Sequence, residues 1–409
     1  MDWRLRRVSL LFFVLLFTFI VLMFVNEYKN MEDLRAEYPD LPEEAFELRK
    51  DSLAVWSIRL ILQFLIPIFF LTSRLSQGIS RWAGWRRGIV TSGILYGLVF
   101  VTIVFLIRLP LDYYSSFVLS HKYGLTEQGF MRWLELSIKG FLVNELVLVF
   151  FLWIPYSIIY RAPKSWWFQI GSLLIPVIIF MVFISPMFID PLFNEYTSIE
   201  EEDLGRKIDQ LLDKAGISDA DIYMVDKSRD TKTMNAYMTG IFKSKRIVLW
   251  DTTINNLDEG ELLAVTAHEI GHYVEGHIWK NIGISIIGNY ILLYLVYLSS
   301  NWVLDKSNLR FGFKNVFNYA SLPLLILLIN LYVFLGSPII NYFSRQMEVE
   351  ADSYEIILTE DRESAISAME KMYDHSLGLP RPSNLYRMWY NSHPSLEERV
   401  DFYRNYNIE

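Results

Sequence analysis

The chain contains no cysteine. That excludes disulfides, thiolate metal sites and a cysteine nucleophile, without identifying a compartment. Histidine is scarce too. His121, His268, His272, His277, His375 and His393 are the only six, so any imidazole site must draw on them. The net charge of −8 leaves no basic footprint for nucleic acid. Neither an internal repeat nor a low-complexity segment is evident. What is abundant is apolar sequence: 52% of the 409 residues are hydrophobic and 16% aromatic. These residues gather in long stretches around one charged central block, the composition of a membrane protein carrying a hydrophilic domain.

Val8–Val25 is uncharged and follows Arg4, Arg6 and Arg7. A signal peptide is the rival reading, but no small-residue cleavage site follows, so an uncleaved first span is expected. Leu53–Thr72, Ile89–Ile107, Ile138–Tyr160, Trp166–Ile189, Ile282–Leu304 and Asn315–Phe343 read as six more spans. The seventh has 29 uncharged residues, more than the ~20 a crossing needs, so it is expected to extend beyond the bilayer. Residues 26–52 are polar and acidic, and a long aromatic connection follows the third span. Arg59 and Glu145 lie inside spans and are costly against lipid. They should face an interior such as a water-filled cavity; a structural pair or snorkelling near an interface is the plainer alternative.

The central block reads as a helix over Asp203–Ala215 and strands at Asp221–Val225 and Arg246–Trp250, with a short third strand in Asn235–Gly240. Asp258 with Glu261 is a capping-box signature that starts the next helix. That helix carries His268-Glu269-Ile270-Gly271-His272. Positions four apart share a helix face, so both imidazoles can reach one metal ion, with the intervening Glu beside its water. Ala264, Ala267 and Gly271 permit close packing.

A catalytic zinc usually takes three protein ligands. His277 does not fit the metzincin spacing, because Gly276 and His277 fall four and five residues after His272 rather than three and six. On a continuous helix it points about 180° from His268, so it is set aside as a ligand, though it could line a pocket. Glu348 and Asp352 are a better source, four apart on one face after the seventh span. His₂Glu is a standard catalytic shell, and a carboxylate such as Asp352 can fix a ligand's tautomer. Spacing alone does not choose between Glu348 and Glu350, and a juxtamembrane helix with solvated charges is the plainer alternative. Ser395 with Glu398 forms another capping box, giving nearby His393 a plain reading as well.

Several separate motifs occur together: Pro191-Leu192-Phe193, Asn235-Ala236-Tyr237, Lys245-Arg246-Ile247-Val248-Leu249, the His268 motif, Ser344-Arg345 with Glu348 and Asp352, and Ser392-His393-Pro394 with Arg399. In these the chain resembles the type I CAAX prenyl proteases, seven-span membrane zinc metallopeptidases related to bacterial heat-shock membrane proteases. The resemblance implies a mainly α fold, a seven-span bundle enclosing a chamber with a gluzincin-type α+β peptidase domain. Residues 1–190 would hold five spans, 191–281 the soluble part with the metal helix, 282–343 spans six and seven, and 344–409 a helical C-terminal part.

It further implies one zinc per chain on His268, His272 and Glu348, with Glu269 as general base and Asp352 orienting the site. His393 would stabilise the oxyanion with Arg399 supporting nearby. Asn235, Ala236 and Tyr237 would pair with the substrate backbone. The implied activity is removal of C-terminal tripeptides from prenylated proteins; a quality-control protease without prenyl specificity is the enzyme alternative. A transporter or silent scaffold is the non-enzyme one, against which the complete residue set argues. Expected partners are a peptide or protein substrate, prenylated or not, and the lipid bilayer, with no nucleic acid and a monomeric state. Lys and Arg counts put the N-terminus in the cytoplasm and the metal domain outside, whereas eukaryotic members are thought to keep that domain in the cytosol. A bacterial cell membrane is the expected location, or the endoplasmic reticulum in a eukaryote.

Overall fold

The computed structural model describes residues 2–217, 219–241 and 244–407; residues 1, 408 and 409 of the expected outer segments lie outside these. Among the described residues seven helices are long and apolar enough to cross a membrane. The first two, α1 (Trp3–Glu37) and α2 (Glu43–Thr72), continue well past their apolar stretches. Only residues 38–42 separate them, because Glu, Lys, Arg and Leu in 26–52 are good helix formers. Their polar ends are also packed: Met31, Leu34 and Phe46 form a small core with Leu379. Buried Glu27 accepts hydrogen bonds from Arg49 Nε at 2.7 Å and the Ser383 N–H at 2.8 Å, which ties both helices to the C-terminal segment.

A short α3 (Leu75–Gly84) leads to α4 (Ile89–Tyr113), a π-helical turn at Tyr114–Val118 and α5 (Leu119–Lys122). The aromatic connection after the third span is therefore largely helical, and Tyr113 packs edge-on against Trp133 at 4.9 Å. The fourth crossing is segmented into α6 (Phe130–Gly140), a second π-helical turn at Phe141–Leu146, α7 (Val147–Phe151) and α8 (Trp153–Arg161). The fifth is α9 (Trp166–Phe188).

The hydrophilic block follows as β1 (Tyr196–Ser198), α10 (Asp203–Lys214), β2 (Asp221–Val225), β3 (Ala236–Thr239), β4 (Arg246–Trp250), α11 (Asp251–Asn256) and α12 (Glu259–Val274). The last crossings are α13 (His277–Ser307) and α14 (Leu322–Thr359), and the chain ends in α15 (Arg362–His375), α16 (Asn384–Tyr390) and α17 (Leu396–Asn405). α13 starts five residues before the expected Ile282, because Gly276 at φ 68° ends α12 and a new helix begins at once. α14 starts at Leu322 rather than Asn315: the Asn318 side chain caps a 3₁₀ turn, and Pro323 sits in the first helical turn.

Arg59 donates to Asp112 and to Ser115, and with Arg108 and Asn330 it lines a cavity of about 420 Å³ between α2, α4 and α14. Glu145 lines a neighbouring cavity of about 460 Å³ that shares Arg108 and Asp112. Both in-span charges therefore face the bundle interior, as their cost against lipid demands.

The sheet order is β1-β2-β4-β3, with β2 and β4 parallel and both outer pairs antiparallel. β1 has three residues and no buried side chain, so no alternation announced it. Ile222, Ile247 and Leu249 of the sheet share one core with Ile208, Ala264, Ala267, Ile270, Ile356 and Tyr403. α12 lies close against α14 at Gly271, where an added Cβ would meet the Ala351 carbonyl oxygen at 3.1 Å and Tyr354 Cβ at 3.1 Å. Gly271→Ala is expected to separate the helices at a cost of ~1–3 kcal/mol, read as a lowered thermal unfolding midpoint in detergent.

Candidate metal centre

The start of α12 is fixed by a reciprocal cap. Glu261 N–H donates to Asp258 Oδ1 at 3.1 Å and Asp258 N–H to Glu261 Oε2 at 2.8 Å. Lys371 also donates to Glu261 at 2.6 Å. Two turns on, His268 and His272 share the face turned to α14. Their Nε2 atoms are 3.1 Å apart. Glu348 reaches across, with Oε2 3.4 Å from His268 Nε2 and Oε1 3.4 Å from His272 Nε2.

These separations fit a metal. Four donors at about 2.1 Å in a tetrahedron lie about 3.4 Å from one another. Glu348 Oε2 is moreover buried without a hydrogen-bond partner, an orphaned anionic oxygen turned to the two imidazoles. Burial would lower the His268 pKa, but the neighbouring carboxylates of Asp352, Glu348 and Glu355 outweigh it and hold the pKa well above the ordinary value. The cluster thus attracts positive charge, and a divalent cation held there would compete with that proton.

His268, Asp352 and Glu355 form a second cluster of donor atoms within reach of one ion. It is the poorer site, because Arg399 already occupies it: Nε is 3.0 Å from Asp352 Oδ2, and Nη2 is 3.3 Å from His268 Nδ1. A cation there would face a guanidinium. Asp352 Oδ1 instead accepts from His268 Nδ1 at 2.8 Å, so in the neutral ring the Nε2 lone pair would be the one open to a metal. The Tyr403 hydroxyl lies between Asp352 and Glu355 at 2.9 and 2.7 Å. Arg399, expected to support His393 from nearby, has its direct contacts with Asp352 and His268.

Glu269, between the two histidines, is half-buried and has no hydrogen-bond or ion-pair partner among the described residues. Burial raises its pKa above the ordinary carboxylate value, a shift that suits a base working near neutrality. His393 Nε2 lies 3.4 Å from Glu348 Oε1, with a side chain 62% exposed, and Nδ1 meets Ser392 Oγ at 2.9 Å. The capping box of Ser395 and Glu398 forms as well, but it belongs to α17. Buried Arg345, one turn before Glu348, donates to the carbonyls of Asn391 at 2.7 Å and Arg387 at 3.1 Å. It holds the segment that delivers His393.

Asn235 immediately precedes edge strand β3. Trp250 N–H donates to its carbonyl and Thr253 Oγ1 accepts from its N–H. By antiparallel alternation the main-chain groups of Ala236 and Met238 point to the free edge, where Asn235 Oδ1 already accepts from the Ala236 N–H. Tyr237 meets Tyr196 across the sheet through their hydroxyls.

Sequence reasoning missed the setting of His277. Its Nδ1 is 2.8 Å from His272 Nδ1, its Nε2 is 2.9 Å from Glu350 Oε2, and Lys280 also donates to Glu350. The 180° projection presupposed an unbroken helix, and Gly276 was the signal that it breaks. Tyr403 and Glu355 were missed too; their only sequence trace is the four-residue spacing from Arg399 and the three-residue spacing from Asp352.

Residues 198–407 match peptidase family M48, and residues 43–195 match the CAAX prenyl protease N-terminal family of five membrane helices. The chain is 34% identical over 350 residues to the uncharacterized metalloprotease YhfN of Bacillus subtilis, covering 83% of this chain and 80% of that one. It is 32% identical over 352 residues to a CAAX prenyl protease 1 homolog of Dictyostelium discoideum, covering 83% and 79%. In fold it is similar to the crystal structure of S. mikatae Ste24p, with a TM-score of 0.80 at 24% identity over 96% of this chain and 99% of that one. With the cluster of candidate metal ligands and the seven candidate spans, these similarities make the chain a member of peptidase family M48, a multi-pass membrane metalloendopeptidase.

Proposed function

We propose that His268, His272 and Glu348 hold one zinc ion per chain and that Glu269 is the general base of peptide hydrolysis beside it. The observation that carries this is the convergence of His268 Nε2 and His272 Nε2, 3.1 Å apart, on the Glu348 carboxylate, whose Oε2 and Oε1 lie 3.4 Å from them in turn and whose Oε2 is otherwise unpartnered. When bound, zinc supplies Lewis acidity and lowers the pKa of its water towards neutrality.

Glu269 takes the water proton as the water oxygen adds to the scissile carbonyl carbon, then passes that proton to the departing amine nitrogen as the C–N bond breaks. His393, on the exposed side of Glu348, donates a hydrogen bond to the oxyanion. Asp352 keeps His268 in the Nδ1–H tautomer, and Arg399 holds Asp352. The free edge of β3 in the Asn235-Ala236-Tyr237 stretch receives the substrate backbone as an added strand, through the outward main-chain groups of Ala236 and Met238. One chain supplies the whole constellation, which supports a monomer. His393→Ala is expected to lower kcat by about 10²–10³-fold with KM little changed, the cost of one oxyanion donor; steady-state kinetics on a quenched peptide checks this.

For the substrate, we take the chain to process C-terminal CAAX-type peptides. This rests on the names of two relatives, a CAAX prenyl protease 1 homolog of Dictyostelium discoideum and the CAAX prenyl protease 1 of Saccharomyces cerevisiae. Purified enzyme offered one peptide in prenylated and unprenylated form tests it. Faster cleavage of the prenylated form, with release of a C-terminal tripeptide, is the expected result. Equal rates would favour a protease of broader, quality-control type.

A further inference from the structure

The two metal-facing histidines are supported differently. His268 gives its Nδ1–H directly to a carboxylate, Asp352. His272 meets another imidazole. Its Nε2 faces His268 and Glu348, so with metal bound that nitrogen offers its lone pair and the ring proton sits on Nδ1. His277 Nδ1, 2.8 Å away, must then accept. A neutral His277 with Nδ1 accepting carries its proton on Nε2, and Glu350 Oε2 lies 2.9 Å from that atom. Lys280 donates to the same Glu350 oxygen. Each donor thus finds one acceptor along the line from His272 through His277 to Glu350.

We infer that His277 is a positioning residue for the metal centre: backed by Glu350, its imidazole fixes the tautomer and orientation of His272 and sets how tightly the chain retains its metal. The placement depends on Gly276, whose left-handed φ of 68° turns the chain so that His277 faces back on His272. His277 is 2% exposed, so water cannot readily replace it as the acceptor. The arrangement also settles the two acids that sequence spacing left open: Glu348 faces the metal-facing nitrogens, and Glu350, on another face of α14, supports His272 through His277. An imidazole is a weaker acceptor than a carboxylate, so His272 is the less strongly polarised of the two histidines. Removing its support should therefore weaken metal retention while leaving the His268 side intact.

The inference rests on His272 being a zinc ligand, and the test separates the two claims. Zinc dissociation constants of the purified full chain are measured in detergent by competition with a chromogenic chelator, for wild type, His272→Ala, His277→Leu, His277→Asn and Glu350→Gln. His277→Leu fills the space without an acceptor and is expected to raise the dissociation constant about 10–100-fold, the usual cost of a lost supporting partner. His277→Asn, whose amide oxygen can accept from His272, should recover most of that loss, and Glu350→Gln should show a smaller rise. Wild-type affinity in His277→Leu, or equal losses in the Leu and Asn variants, would overturn the positioning role in favour of packing alone. Unchanged affinity in Glu350→Gln would remove Glu350 from it. If wild type binds no zinc, or His272→Ala binds it normally, the ligand assignment itself fails.

Discussion

Glu269→Gln is expected to leave one zinc per chain in place and to lower kcat for peptide cleavage by about 10²–10⁴-fold, ~3–5 kcal/mol of transition-state stabilisation. The amide keeps the shape of the carboxylate but cannot take a proton from water or return one to the amine. Glu269 has no hydrogen-bond or ion-pair partner among the described residues, so little structure should be lost with its charge. Its raised pKa has a further consequence. A base must be ionised, so the acid limb of kcat/KM is expected above the ordinary carboxylate range, with activity falling as pH drops through it. Metal analysis and pH–rate profiles of the two proteins read both effects.

Glu348→Gln is the second large effect. It removes the anionic ligand from a site that otherwise holds two neutral imidazoles, and it leaves the amide in the same space. Zinc affinity is expected to fall by more than roughly 100-fold, beyond the ~10–100-fold cost of losing a supporting partner, and activity falls with it. The thermal midpoint of protein purified in zinc should drop as well, because a bound ion stabilises by ~2.7 kcal/mol at 100 times its dissociation constant. Wild type itself should release metal on acidification. Protons compete for His268, whose pKa the surrounding carboxylates hold well above the ordinary value, so retention strengthens as pH rises. Retention of a full equivalent of zinc by Glu348→Gln at low free zinc would sink this assignment.

Much of this was legible because local signals were strong. The ends of β2 and β4 and the capped start of α12 follow from β-branched runs and from Asp258 with Glu261. The His268–His272 face follows from helical periodicity alone. Glu348 and Asp352 could be nominated by spacing, but choosing Glu348 over Glu350 took the resemblance, because both lie on α14 and only tertiary packing against α12 separates them.

What was hidden depended on contacts between distant segments or on hydropathy misread as structure. α1 and α2 run through polar residues because their ends pack on the C-terminal segment around Glu27 and Ser383. No window of sequence shows that pairing. Arg345 was part of a recognised motif without a role, since its partners are the carbonyls of Arg387 and Asn391, more than forty residues on. The resemblance implies that Arg399 supports His393 from nearby; its contact with Asp352 depends on how α17 packs on α14, which no local pattern shows. His277 was projected on a helix that Gly276 ends.

The most direct test of the metal centre is anomalous diffraction at the zinc edge from crystals of Glu269→Gln. A single peak about 2.0–2.2 Å from His268 Nε2, His272 Nε2 and a Glu348 oxygen is the predicted result. A peak among His268, Asp352 and Glu355, or none beside Glu348, would contradict it.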